Sequence, residues 1–140
     1  MVKYPPGFFI FGGRLADGTN SNELWFYDLI SQAWSLKATT SSLKPQPVTQ
    51  HSLTLAQHYL YLIGGKIDSR ITTDEIYRID ARELKSWERV NVRGGKYPGK
   101  RLEGHTTIYV PETHSLLVFG GYLHIGGLFN NRQQEVRVVI

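Results

Sequence analysis

Large apolar and aromatic side chains gather in three short runs along the chain, and each run ends in a glycine pair. The runs are Phe8-Phe9-Ile10-Phe11-Gly12-Gly13, Tyr59-Leu60-Tyr61-Leu62-Ile63-Gly64-Gly65 and Leu116-Leu117-Val118-Phe119-Gly120-Gly121. Short apolar stretches bounded by turn-forming residues predict buried strands. The glycine pairs are 52 and 56 residues apart, so the pattern is a repeat.

Other pieces return at the same period. Asn22-Glu23-Leu24-Trp25-Phe26-Tyr27-Asp28 aligns with Asp74-Glu75-Ile76-Tyr77-Arg78-Ile79-Asp80, and Gln134-Glu135-Val136-Arg137-Val138-Val139 supplies a third copy after a four-residue insertion. Trp34 and Trp87 follow their glycine pairs by 21 and 22 residues. His51 and His105 are 54 apart, and each opens a β-like run, over 52–55 and 106–110. Each unit therefore reads as four strands: A after the histidine, B before the glycine pair, C ending near the aspartate and D starting at the tryptophan. No stretch sustains a 3.6-residue apolar period with caps, so no helix is expected.

A glycine pair after an apolar strand, then Tyr-Asp or a relative, then Trp, at about 50 residues, resembles the kelch repeat. That resemblance implies an all-β fold in which each repeat is one four-stranded antiparallel blade of a β-propeller. The chain divides into a partial first blade at 1–47 (strands B-C-D), a complete second blade at 48–103 and a partial third blade at 104–140 (strands A-B-C). It is expected to be a partial kelch propeller of about two and a half blades. Propellers close with about four to eight, so the remaining blades of a longer parent chain are expected neighbours.

The repeat positions have structural readings. Gly12, Gly13, Gly64, Gly65, Gly120 and Gly121 let the backbone turn sharply where blades approach. Asp28 and Asp80 can bond local turn amides, and Trp34 and Trp87 supply apolar area between blades. His51 and His105, at equivalent positions, are expected to do one structural job twice.

Two longer strings are more specific. Gly64-Gly65-Lys66-Ile67-Asp68-Ser69 with Asp74-Glu75-Ile76-Tyr77, and Gly104-His105-Thr106-Thr107-Ile108-Tyr109 with the third glycine run and a long insert, are similar to blades of the attractin and multiple-EGF-domain family. The resemblance implies an extracellular propeller of a large membrane glycoprotein engaged in signalling and receptor trafficking. An intracellular kelch adaptor, such as a ubiquitin-ligase substrate receptor, is the alternative.

Composition narrows the chemistry. In 140 residues, 41% are apolar and 20% charged, which is globular composition. Cysteine is absent, so disulfides, thiolate metal sites and cysteine nucleophiles are excluded within these residues. A net charge of +4 is too mild to indicate a nucleic-acid partner. No apolar run approaches the roughly 18 residues of a membrane span. The first residues lack the apolar centre of a signal peptide, which leaves a cytosolic protein or an internal segment of a longer one.

Catalytic, metal and cofactor sites find little support. Residues 94–101 nearly spell a phosphate loop, but Arg101 replaces the hydroxyl residue and no helix is expected to follow. His51, His58, His105, His114 and His124 do not share the spacing of converging ligands. No nucleophile motif occurs, and the acidic pairs that open strand C recur as turn formers. A non-enzyme without cofactors is expected.

Antiparallel topology sends the B–C loops and D-to-A links to one face and the short turns to the other. The long segments (14–20, 38–49, 66–72, 91–103 and 122–132) carry nine cationic residues, among them Arg14, Lys66, Arg70, Arg93, Lys96, Lys100 and Arg101, against three acidic ones. The rest of the chain holds seven against nine. Long loops on a rigid scaffold are where binding concentrates. A basic loop face that meets a protein with an acidic surface is therefore expected.

Overall fold

The computed structural model describes residues 1–92, 102–125, 128–130 and 135–140. It contains three antiparallel sheets in succession. The first orders β1 (Val2–Tyr4), β2 (Gly7–Phe11), β3 (Leu24–Asp28) and β4 (Ala33–Leu36) as neighbours. The second repeats this with β5 (Ser52–Ala56), β6 (Tyr59–Lys66), β7 (Thr72–Asp80) and β8 (Glu88–Arg89). In the third, β10 (Ser115–Ile125) lies between β9 (Leu102–Val110) on one side and β12 (Glu135–Val139) with β11 (Leu128–Asn130) on the other. Among the described residues there is no α-helix; one 3-10 turn, Pro111–Thr113, joins β9 to β10.

Four details differ from the sequence expectation. The first unit has a strand at the A position after all: Val2 pairs with Phe9 and Tyr4 with Gly7. It is three residues long and abuts Pro5-Pro6, too short for an alternation to register. The strand after Trp87 is only two residues, Glu88–Arg89. In the third unit β9 begins at Leu102, ahead of the boundary drawn at 104, so His105 lies inside its strand instead of opening it. The long insert contributes β11, which extends the β10 hairpin.

Apolar cores lie between adjacent sheets, and strict alternation builds them. Phe9 and Phe11 of β2 pack with Leu60 and Leu62 of β6. The intervening residues, Tyr61 and Ile63, point the other way and pack with Leu116 and Val118 of β10. One strand thus serves two interfaces, because successive side chains leave opposite faces. Leu60, Ile63, Leu116 and Val138 are fully buried.

Candidate functional site

The glycine pairs and the histidines share the seams between sheets. A Cβ on Gly12 would lie 2.6 Å from the Val48 carbonyl oxygen and 3.2 Å from His51 Cε1. At the next seam a Cβ on Gly64 would lie 2.6 Å from the Leu102 carbonyl oxygen and 3.1 Å from His105 Cε1. In the second and third units the second glycine meets the histidine of the same unit: a Cβ on Gly65 would stand 2.8 Å from His51 Cβ, and one on Gly121 2.9 Å from His105 Cβ. Each imidazole is flanked by a glycine from either side of the seam. In addition, Ser52 Oγ lies 2.9 Å from His105 Nε2 and 2.7 Å from Thr107 Oγ1, bridging the second and third sheets. Burial, above all, lowers both histidines to about 4, so both are neutral at physiological pH.

The remaining repeat positions diverge. Asp28 accepts from the Ile30 and Ser31 amides, and Asp80 from the Arg82 amide. Arg82 also grips Asp80 with two guanidinium bonds, at 3.1 and 2.7 Å, which holds the carboxyl well below the usual carboxylate range. Trp87 is buried and meets Phe11 of the first sheet edge-on, with ring centroids 5.4 Å apart. Trp34 instead is half exposed and rests on Tyr27 and Phe8 of its own sheet.

A cleft of about 690 Å³ opens where the β2–β3 loop, the link from β4 to β5 and the β6–β7 loop converge. Its lining includes Arg14, Asn20, Gln46, Gln50, Lys66 and Asp68. Backbone bonds fix its floor. Gly13 N donates to Val48 O, Val48 N to Ser21 O, and Thr49 and Lys66 exchange both of theirs. Asn20 Nδ2 donates to the Lys66 and Ile67 carbonyls at 3.1 and 2.7 Å, which ties the loop of the first sheet to the second.

Charge in this cleft is asymmetric. Asp17 is occupied by the Thr19 hydroxyl and amide, which lower its pKa. Asp68 accepts from the Arg70 and Ile71 amides. Arg14 and Lys66 make no ion pair among the described residues. The acids are turned into the loops that carry them, while Arg14 stands exposed and Lys66 half-buried at the cleft.

The structure therefore brings Arg14 and Lys66 to one cleft. Arg70 stands exposed beside it without lining it. Arg93, Lys96, Lys100 and Arg101 lie outside the described residues. Asn20, Gln46 and Gln50 escaped the sequence reading, since neutral amides in loops carry no charge or period to mark them. Among the described residues no three histidine or acidic side chains come together as a metal site.

Sheets of four antiparallel strands in succession, each laid on the next, define a segment of a β-propeller. The Attractin/LZTR1 beta-propeller family model matches residues 1–137, and the chain belongs to that family. Human multiple epidermal growth factor-like domains protein 8 is 28% identical over 127 residues, 86% of this chain, and the rat protein of the same name is 31% identical over 119 residues, 81% of it. The leucine-zipper-like transcriptional regulator 1 homolog of Drosophila melanogaster is 33% identical over 79 residues, 56% of the chain. The chain spans 4% of the length of the two mammalian relatives and 8% of the fly protein.

Proposed function

We propose that this chain is a non-catalytic protein-interaction segment of a kelch-type propeller, extracellular and part of a larger membrane receptor of signalling and trafficking, whose basic loop face docks an acidic surface of a partner. One observation carries the docking face: among the described residues Arg14 and Lys66 make no ion pair on a cleft built from two sheets, while the neighbouring aspartates are spent within their loops. Guanidinium and ammonium groups in that setting suit carboxylates, the arginine as a two-pronged donor. The coverage of this chain by the epidermal growth factor-like relatives, 86% and 81% against 56% for the fly protein, supports the receptor reading over an intracellular adaptor.

The docking face is tested with poly-glutamate as the probe. Arg14→Glu with Lys66→Glu should elute from a poly-glutamate column at markedly lower salt than the parent, because fewer ionic contacts remain to be screened. Lys3→Glu with Lys37→Glu, away from the cleft, should change elution far less. Equal shifts from the two pairs would show a net-charge effect and remove the docking face. Surface labelling of the full-length protein on intact cells tests the location: exclusion of the label would favour the adaptor.

A further inference from the structure

Among the described residues, five other than glycine hold left-handed backbone. Four of them, Gln32, Gln57, Leu84 and His114, stand in turns between paired strands, where positive φ is ordinary. Gln50, at φ 57, is the exception. It lies in the link from β4 to β5, with His51 between it and β5. The position itself demands this backbone. One repeat later its counterpart, directly before His105, is Gly104 at φ 67, and the Gly104 amide donates to the Gln50 carbonyl at 2.8 Å. Glycine meets the demand without steric cost, whereas glutamine does not.

The fold gains little from that glutamine. Its side chain is exposed and, among the described residues, makes no hydrogen bond. It lines the cleft that also holds Arg14 and Lys66, as does the exposed Gln46. Where a residue other than glycine is accepted in left-handed backbone, Asn and Asp are favoured, because their short side chains bond locally. Glutamine is longer by a methylene and leaves its amide at the cleft. Backbone strain kept at a cleft, under a side chain the fold leaves unbonded, points to a ligand.

We propose that Gln50 is a recognition residue of this cleft, and that the partner enters it as an extended acidic peptide. The inference rests on the docking face proposed above and gives the form of its ligand. Arg14 and Lys66 take carboxylates. The Gln50 amide takes a neighbouring peptide group of the ligand's main chain, because a primary amide carries donor and acceptor in one plane and a peptide group offers both in return. The cleft's volume of about 690 Å³ falls within the roughly 300–1,000 Å³ of ligand pockets, which suits a short segment of chain over a folded surface.

Two polymers test the proposal: poly-glutamate, and polyacrylate, which carries carboxylates on a backbone without amides. Affinities for both are measured at one salt concentration, with the urea midpoint of each variant alongside. Gln50→Gly should weaken poly-glutamate binding by about 3- to 10-fold, one net hydrogen bond's worth, and leave polyacrylate binding unchanged. Its urea midpoint should hold or rise, since glycine relieves the left-handed strain. Gln32→Gly, exposed in the β3–β4 turn, should behave alike in urea and change neither affinity. Arg14→Glu with Lys66→Glu should weaken both polymers. If that charge reversal weakens both while Gln50→Gly leaves poly-glutamate untouched, the role of Gln50 is overturned and the docking face stands. Equal losses for the two polymers in Gln50→Gly overturn the reading of a main chain. A lowered urea midpoint in Gln50→Gly shows that the glutamine serves the fold, and overturns the proposal too. Charge reversal without effect on either polymer removes the docking face and this inference with it.

Discussion

His105 stands against Gly64 across the seam between the second and third sheets, close enough that a Cβ on the glycine would lie 3.1 Å from the imidazole Cε1. The same Cβ would lie 2.6 Å from the backbone oxygen of Leu102, an atom with no freedom to move aside. Gly64 also sits at φ +60, in the left-handed region. Gly64→Ala should therefore cost about 2–4 kcal/mol, combining left-handed strain with overpacking. Gly104→Ala isolates the strain: Gly104 has φ +67, but its Cβ would find only ordinary contacts at 3.7 and 4.0 Å, and about 1 kcal/mol is expected. Urea unfolding of the two variants checks this; equal losses would mean that the close approach at the seam contributes nothing.

The buried histidines make stability depend on pH in a defined window. Burial lowers His51 and His105 to about 4, helped at His51 by the N-terminal charge and at His105 by His51. In the unfolded chain each should titrate near about 6.5. Because the folded values lie below the unfolded ones, the unfolded state binds more protons between them. The stabilising contribution is complete above about 6.5 and is lost as pH falls toward 4. With both histidines contributing in full the slope would approach about 2.7 kcal/mol per pH unit; His51, only part-buried, should give less than its share. Unfolding free energies measured between pH 7.5 and 5.5 avoid most carboxylate titration. A slope that His105→Gln leaves unchanged would sink the assignment.

The repeat made much of this fold legible, because spacing and alternation act over many residues at once. The glycine pairs, the strands before them and the aspartate turns are all local patterns. What stayed hidden was set by tertiary contact. Val2–Tyr4 becomes a strand through pairing with β2, not through any alternation of its own. Trp34 and Trp87 look equivalent in sequence, yet Trp87 is buried against Phe11 of another sheet while Trp34 rests half exposed on Tyr27 and Phe8 of its own. The cleft was half legible: Arg14 and Lys66 announce themselves by charge, but Asn20, which ties their loops together, does not.

Trp87 and Phe11 should prove energetically coupled. Trp87 is 4% exposed, as is Phe11, and the two rings meet edge-on from different sheets. Either truncation to alanine should cost about 3–5 kcal/mol. A double-mutant cycle should return a coupling of about 0.5–1.5 kcal/mol beyond area burial. Additive losses in denaturant unfolding would mean that the aromatic contact does not hold the first seam.

Gln32 and Leu84 occupy the same turn position in successive units, and both adopt left-handed backbone, at φ 56 and φ 53. Their environments set opposite outcomes for one substitution. Gln32 is exposed, so Gln32→Gly removes left-handed strain and loses no packing; the larger entropy of the unfolded glycine chain offsets part of the gain. A net stabilisation of about 0.5–1 kcal/mol is expected. Leu84 is half-buried against the first core, and its amide donates to the Asp80 carbonyl at 2.8 Å. Leu84→Gly relieves the same strain but forfeits the leucine's apolar contact, worth about 1.5–3 kcal/mol when burial is full. It should therefore destabilise by roughly 1 kcal/mol. Thermal or urea unfolding of the pair reads the sign directly. If both variants moved stability in the same direction, the packing of Leu84 would not be what keeps that residue in a conformation unfavourable for its side chain.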